Sequence, residues 1–421
     1  MIMKRLFILA AAVAMFAACT EKNLNTGPTG ERIPLTLSAA DGTVSSVSVA
    51  TRSNVNDIQE TQLDIASTAV MGIFVLDKHT YTTGTAQVYK KWNLASASYS
   101  TNGTDGAKTN INTAASDAAT TLYYPDSKTA TIDIYAYAPK DGSYTGTDIS
   151  SDKVTVAIQA SQNTNANYLL SDVLWGCVGD GTNWSGSAAV DTKPGNNSSA
   201  EISATKYLAA KGGTATAGYI TTGGQVIIPM FHKASKIIIK LTPSGMNLDK
   251  LKGATVKFYV QGTNSTTPKL STTLLVSSGA IDAVTKETTE VLAPITFTQH
   301  LGQNEAGTAD LDNTIADADG TQGVIGVANT SMTGYACSGI ILPQTISKNQ
   351  KLIEIILSDN TTYSYTIPAG GSDAVFASEK VYTYSITLTA SGLSLTSTVE
   401  DWAEDTWGTA STPATGNAEL E

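Results

Sequence analysis

Residues 33–52 read IPLTLSAADGTVSSVSVATR. Leu35 and Leu37 alternate with Thr36 and Ser38, and Val44, Val47 and Val49 follow at near-alternating spacing among serines and threonines. A period of two, carried by aliphatic and β-branched residues, is the pattern of a half-buried β-strand. Arg52 closes the stretch, and an asparagine-rich, mostly polar stretch, 53–56, comes straight after it. Two descriptions fit these residues equally: an ordinary first strand followed by a surface arginine, or a strand with a protease site directly behind it.

Outward from this stretch the chain keeps the same character. Its 421 residues suffice for two or three domains with packed cores. Hydrophobic residues make up 41%, which excludes wholesale disorder, while charged residues are only 15% and Gly, Ser, Thr, Ala and Asn fill the difference. That balance belongs to extracellular β-proteins. The formal net charge of -11 speaks against nucleic acid as a partner, since a phosphate-binding surface needs clustered Lys and Arg. Apolar or alternating runs of strand length recur at 70–76, 131–137, 154–158, 226–230, 236–241, 256–260, 270–276, 352–357, 363–367 and 382–388. Residues 96–121 read as long loops or hairpins, 176–197 as a glycine- and asparagine-rich loop, 201–210 as a short helix, and 212–224 as a flexible connector. The expected fold is therefore all-β, with two antiparallel β-sandwich domains in tandem at 53–224 and 225–421.

The first residues point to export. Lys4 and Arg5 precede an apolar run over 6–18 that is too short to span a bilayer and right for a secretory signal. Phe16, Ala17, Ala18 and Cys19 resemble a bacterial lipobox, with Phe16 departing from the usual leucine; residues 1–18 are then a signal peptide and Cys19 the lipidated residue. A buried cysteine in a membrane anchor is the bland alternative. Residues 19–52 form a polar tether followed by the opening strand. Cys177 and Cys337 remain, read either as two small buried hydrophobes or as one long-range bridge.

Catalytic chemistry is hard to find. His79, His232 and His300 stand in no metal or nucleophile motif. His232 lies just before an apolar strand and reads as a structural histidine satisfied locally. Asp133, Asp172 and Glu354 are candidates for a glycosidase pair that only the fold can assemble. Asp310, Asp312, Asp317 and Asp319 form one acidic cluster without EF-hand spacing, a solvated loop before it is a calcium site. Trp402 and Trp407 read as core-closing tryptophans at the last strand, with sugar stacking as the other use. No catalytic residue, cofactor or metal is expected.

A series of segments carries a resemblance. They are the lipobox, Thr51-Arg52-Ser53, Val70-Met71-Gly72-Ile73-Phe74, Tyr123-Tyr124-Pro125, Ile134-Tyr135-Ala136-Tyr137-Ala138-Pro139, Phe231-His232-Lys233-Ala234-Ser235-Lys236-Ile237, Ile341-Leu342-Pro343-Gln344-Thr345-Ile346 and Val399-Glu400-Asp401-Trp402. In content and order they are similar to the fimbrillin family of Bacteroidetes. The resemblance implies a type V pilin: two transthyretin-like sandwiches, passage through the lipoprotein export machinery, and attachment to the outer membrane through lipid such as palmitate on Cys19. It also implies cleavage between Arg52 and Ser53 by an arginine-specific protease, and polymerisation with other pilin subunits by strand exchange into an adhesive surface fimbria. Residues 403–421 are the expected donor strand of a stalk subunit, and their low apolar content keeps a tip subunit open. The alternatives are a surface glycan-binding lipoprotein using Trp92, Trp175 or Trp184, and a secreted β-sandwich hydrolase.

Overall fold

The computed structural model describes residues 33, 35–41, 72–77, 90–93, 97–101, 109–113, 124, 131–139, 153–179, 202–211, 220, 224–297, 301–303, 309–310, 334–402 and 411–419. These residues form an all-β structure, with two short helices at Asn165–Ser171 and Ala204–Lys211 and a 3-10 turn at Leu248–Lys250.

The first sheet has nine strands. From edge to edge run β3 (Lys90–Asn93), β2 (Gly72–Asp77), β6 (Thr131–Ala138), β8 (Leu174–Val178), β10 (Gln225–His232), β1 (Thr36–Asp41), β5 (Thr109–Thr113) and β4 (Ala97–Thr101), with β9 (Ile202–Ser203) added beside β6. Its pairings are antiparallel except that of β1 with β10, which is parallel.

The second sheet has seven strands in the order β17 (Ala309–Asp310), β16 (Leu301–Gln303), β18 (Gly334–Ile341), β11 (Ser235–Pro243), β23 (Lys380–Thr389), β24 (Gly392–Asp401) and β25 (Ser411–Glu419). A third, of five strands, runs β13 (Thr267–Pro268), β12 (Thr255–Asn264), β20 (Lys351–Ile356), β21 (Thr362–Thr366), with β15 (Leu292–Phe297) also on β12. Two strand pairs complete the fold: β7 (Lys153–Ala157) with β14 (Ser271–Leu275), and β19 (Gln344–Ile346) with β22 (Ala374–Phe376).

The second and third sheets enclose one core. Ile237, Ile239 and Leu241 of β11 share it with Val256, Phe258 and Val260 of β12, all fully buried. Phe258 is its centre, with Phe376 edge-on at 5.5 Å and Phe297 stacked at 6.1 Å. Gly339 of β18 lies so close to the Phe297 ring that a side chain there has no room.

The nine-stranded sheet has apolar residues on both faces. In β6, Ile132, Ile134, Ala136 and Ala138 face the sheet's own core, while Tyr135 and Tyr137 join the core of the other two sheets. In β8, Leu174 and Val178 take the first side and Trp175 and Cys177 the second. Strict alternation over two apolar faces is what a central strand requires. β10, expected at the start of the second domain, pairs with β8 and β1 inside this sheet. Val226, Ile228 and Met230 put its alternate side chains on the same face as Leu35 and Leu37. The pair β7–β14 likewise joins residues from either side of position 224.

Candidate functional site

The opening strand lies inside the nine-stranded sheet, bonded on both sides. Over six positions, from Thr36 opposite Gln225 to Asp41 opposite Met230, β1 runs parallel to β10, and over three it runs antiparallel to β5. Ile33, Leu35 and Leu37 point into the core and are 4%, 4% and 2% exposed. Full burial of such side chains stabilises by about 1.5 to 3 kcal/mol each, an upper bound because an unfolded chain already hides part of that surface. The alternation seen at Leu35 and Leu37 thus places them on the buried face.

The start of the strand is enclosed. The Tyr124 N–H donates to the Ile33 carbonyl at 3.0 Å, extending the sheet pairing upstream of β1. The Tyr124 ring, 1% exposed, leans on Tyr207 at 5.2 Å. Gly224, at φ +82°, passes so near the Tyr207 ring that a Cβ would collide with it, so both its conformation and the close approach require glycine. Burial, with Tyr207 nearby, pushes the Tyr124 phenol well above its ordinary pKa. Its hydroxyl has no hydrogen-bond partner among the described residues.

At its far end β10 enters a polar junction. His232 Nδ1 lies 2.8 Å from Asp172 Oδ1, both groups buried, and the imidazole stacks on the Trp402 indole at 4.2 Å with the planes 5° apart. Lys236 sits between two rings, 5.9 Å from Tyr168 and 5.8 Å from Trp402. Lys233 is ion-paired with Glu379 and lies 5.1 Å over the Trp175 ring. Backbone bonds tie the same residues: Lys233 N–H to the Val173 carbonyl, Glu379 N–H to Ala234, and Trp402 N–H to Glu379. The Phe231-to-Lys236 segment and the Val399-to-Trp402 segment, far apart in sequence, therefore meet in one network. The His232 imidazole is held between a carboxylate and a tryptophan face.

The other candidates have structural partners. Glu354 is paired with Lys257 at 3.1 Å and Lys351 at 3.3 Å, and accepts from the Tyr259 hydroxyl. Hydrogen bonds and charge from those lysines outweigh its desolvation and hold its carboxyl below the usual range. Asp133, 1% exposed, packs against Gly179, and Asp172 faces His232. Trp175 is fully buried and donates its indole N–H to the Val276 carbonyl at 2.9 Å, so it offers no platform for a sugar. Cys177 and Cys337 are both buried and unbridged, which settles them as small hydrophobes; burial raises the Cys337 thiol pKa. Among the described residues no cluster of three His, Cys, Asp or Glu gathers to hold a metal.

Cys19, Val44, Val47, Val49, Arg52, Ser53, His79, Trp184, His300, Asp312, Asp317, Asp319 and Trp407 lie outside the described residues, as does the Trp92 side chain. The Asp172–His232 pair was missed in the sequence, since nothing local links residues sixty positions apart.

A search of curated proteins returns no match. Among solved structures, a protein from Bacteroides uniformis described as a cell adhesion protein is 16% identical, covering 90% of this chain and 100% of its own, with a TM-score of 0.44. A second such protein, from Bacteroides ovatus, is 15% identical over 89% of this chain and 99% of its own, with a TM-score of 0.48. The tip fimbrial protein Mfa3 from Porphyromonas gingivalis, truncated at its C-terminus, is 8% identical over 88% and 99%, at 0.37. The sequence profile of the fimbrillin-like family is decisive, because it matches residues 51–402, most of the length. The chain belongs to the fimbrillin-like family.

Proposed function

We propose that this chain is a structural, non-enzymatic subunit of a cell-surface fimbria, exported as an outer-membrane lipoprotein on Cys19 and assembled by strand exchange after cleavage between Arg52 and Ser53. The observation that carries the reading is the position of β1. It is an interior strand, paired with β10 and β5, that begins less than twenty residues before the proposed cut. Its loss exposes unpaired N–H and C=O groups on two neighbours and empties the places of Ile33, Leu35 and Leu37. Proteins ordinarily hide such edges because they recruit other chains. Here recruitment is the function, with main-chain bonds supplying affinity and alternate side chains filling pockets.

The family match begins at residue 51, beside Arg52 and beyond the strand proposed to be lost. The partners on this reading are other pilin subunits, an arginine-specific protease and the lipoprotein export machinery. Two structural units in tandem then meet between β10 and β11 rather than at residue 224.

The test is the N-terminus of assembled surface protein. A start at Ser53, together with a soluble and unassembled Arg52→Ala chain, supports the mechanism. Assembled material that begins at Cys19 overturns it. Lipidation is tested separately: Cys19→Ser is expected to abolish incorporation of labelled fatty acid, and label in that variant removes the lipoprotein assignment.

A further inference from the structure

We infer that residues 403–421 of a second copy do not supply the strand that replaces residues 33–41, and that the supplier is an extended segment with large aliphatic side chains at alternate positions. The inference rests on the strand-exchange reading and concerns which partner that site takes.

The groove states what it needs. Ile33, Leu35 and Leu37 fill three successive inward positions at 4%, 4% and 2% exposure, so an incoming strand must present large aliphatic side chains at i, i+2 and i+4. Around them are Ile73, Ile134, Val226, Ile228 and Met230, all buried, so a smaller side chain leaves a void that a close-packed core does not collapse to fill.

The C-terminal strand β25, STPATGNAE, repeats the frame of the resident strand and lacks its side chains. Thr412-Pro413-Ala414-Thr415-Gly416 aligns with Ile33-Pro34-Leu35-Thr36-Leu37, matching at the proline and at the threonine. The three positions that carry the burial become Thr412, Ala414 and Gly416. No other frame repairs this, because Trp407 and Leu420 are the only large apolar residues from 403 to 421 and no three-position window holds both. The strand also has a place of its own, paired antiparallel along β24 from Ser411 opposite Val399 to Glu419 opposite Gly392. The partner that fits is an extended segment of another subunit with three alternating Ile, Leu, Val or Phe residues.

The experiment uses the full chain cut by an arginine-specific protease. Labelled peptides of residues 33–41 and 411–419 are offered to it, and the cut chain alone is examined for oligomers that survive mild denaturant. The inference expects uptake of the first peptide, at least roughly 100-fold weaker uptake of the second, and no oligomers joined through residues 411–419. The variant Thr412→Ile/Ala414→Leu/Gly416→Leu is expected to convert the cut chain into a self-assembling one. Oligomers of the unmodified cut chain joined through residues 411–419 overturn the inference and leave strand exchange standing. A triple variant that stays monomeric while the first peptide binds overturns the side-chain argument. Failure of the first peptide to bind overturns the strand-exchange reading, and the inference with it.

Discussion

Lys240 of β11 is 8% exposed, and its ammonium pKa is pushed down to about 8 by desolvation, with the Glu400 carboxylate opposing the shift. Because the native pKa lies below the unfolded one, the unfolded chain holds more protons between about pH 8 and pH 10.5. Stability should therefore rise with pH across that window, and the full cost of burying the charge is present below it. Lys240→Met is expected to be more stable than the parent at pH 7 by roughly 1 to 2 kcal/mol, less than the full shift because Glu400 loses a partner. The difference should shrink toward pH 10 in urea unfolding; a difference that grows with pH refutes the assignment. His232 gives the opposite case. Its replacement by Ala leaves the Asp172 carboxylate, 4% exposed, without the imidazole, and is expected to cost about 2 to 4 kcal/mol. A double-mutant cycle with Asp172→Asn should show coupling, and additivity would mean that the 2.8 Å contact contributes nothing. At this scale the sequence, with no motif around His232, supports the expectation of a structural histidine. It did not reveal Asp172 or Trp402, because side-chain contacts between distant segments are set by the fold.

Strands were the most legible feature, and their addresses the least. The alternation at Leu35 and Leu37 predicts a strand with one buried face, and those two residues are buried. Alternation fixes which side chains share a face, yet it is silent about neighbours, so the parallel pairing of β1 with β10 was not readable. The same silence extends to Val226, Ile228 and Met230, which pack with Leu35 and Leu37 although the sequence groups them with the strands that follow. β6 illustrates another limit: tyrosines at alternate positions look like a solvent side, but Tyr135 and Tyr137 are each 1% exposed against a second core. For β1 the expected outcome is quantitative. Leu37→Ala in the full chain should lose about 2 to 4 kcal/mol in denaturant unfolding, whereas Thr155→Ala, at an exposed position between buried Val154 and Val156 of β7, should change stability much less. Equal effects would mean that the alternation does not govern burial here.

Across the whole molecule, two features bind the halves together. The large core includes Tyr135, Tyr137, Trp175 and Phe231 from the nine-stranded sheet alongside residues of the other two sheets, and β7 pairs with β14. The passage from β10 to β11 is no loose linker, for Lys233 is 3% exposed and Ala234 fully buried, with both backbones hydrogen-bonded across the junction. Glycine-rich composition at 212–224 is the pattern of a connector, but a connector ahead of β10 does not make the halves separable after it. A chain ending at residue 232 therefore loses the cover over four large aromatic side chains and should bind a hydrophobic dye and aggregate instead of folding alone. Limited proteolysis of the intact protein should likewise spare 233–235, since cleavage needs exposed, locally unfolded backbone. A soluble, cooperatively unfolding fragment 33–232 would show that the two units are independent after all. In that case the shared core contributes little, and mechanical load along an assembled fimbria would fall on the short β10–β11 passage alone. If the fragment fails to fold while the intact chain resists cleavage, the contacts of Asp172, His232 and Trp402 join the end of β10 to the second sheet as one mechanical unit.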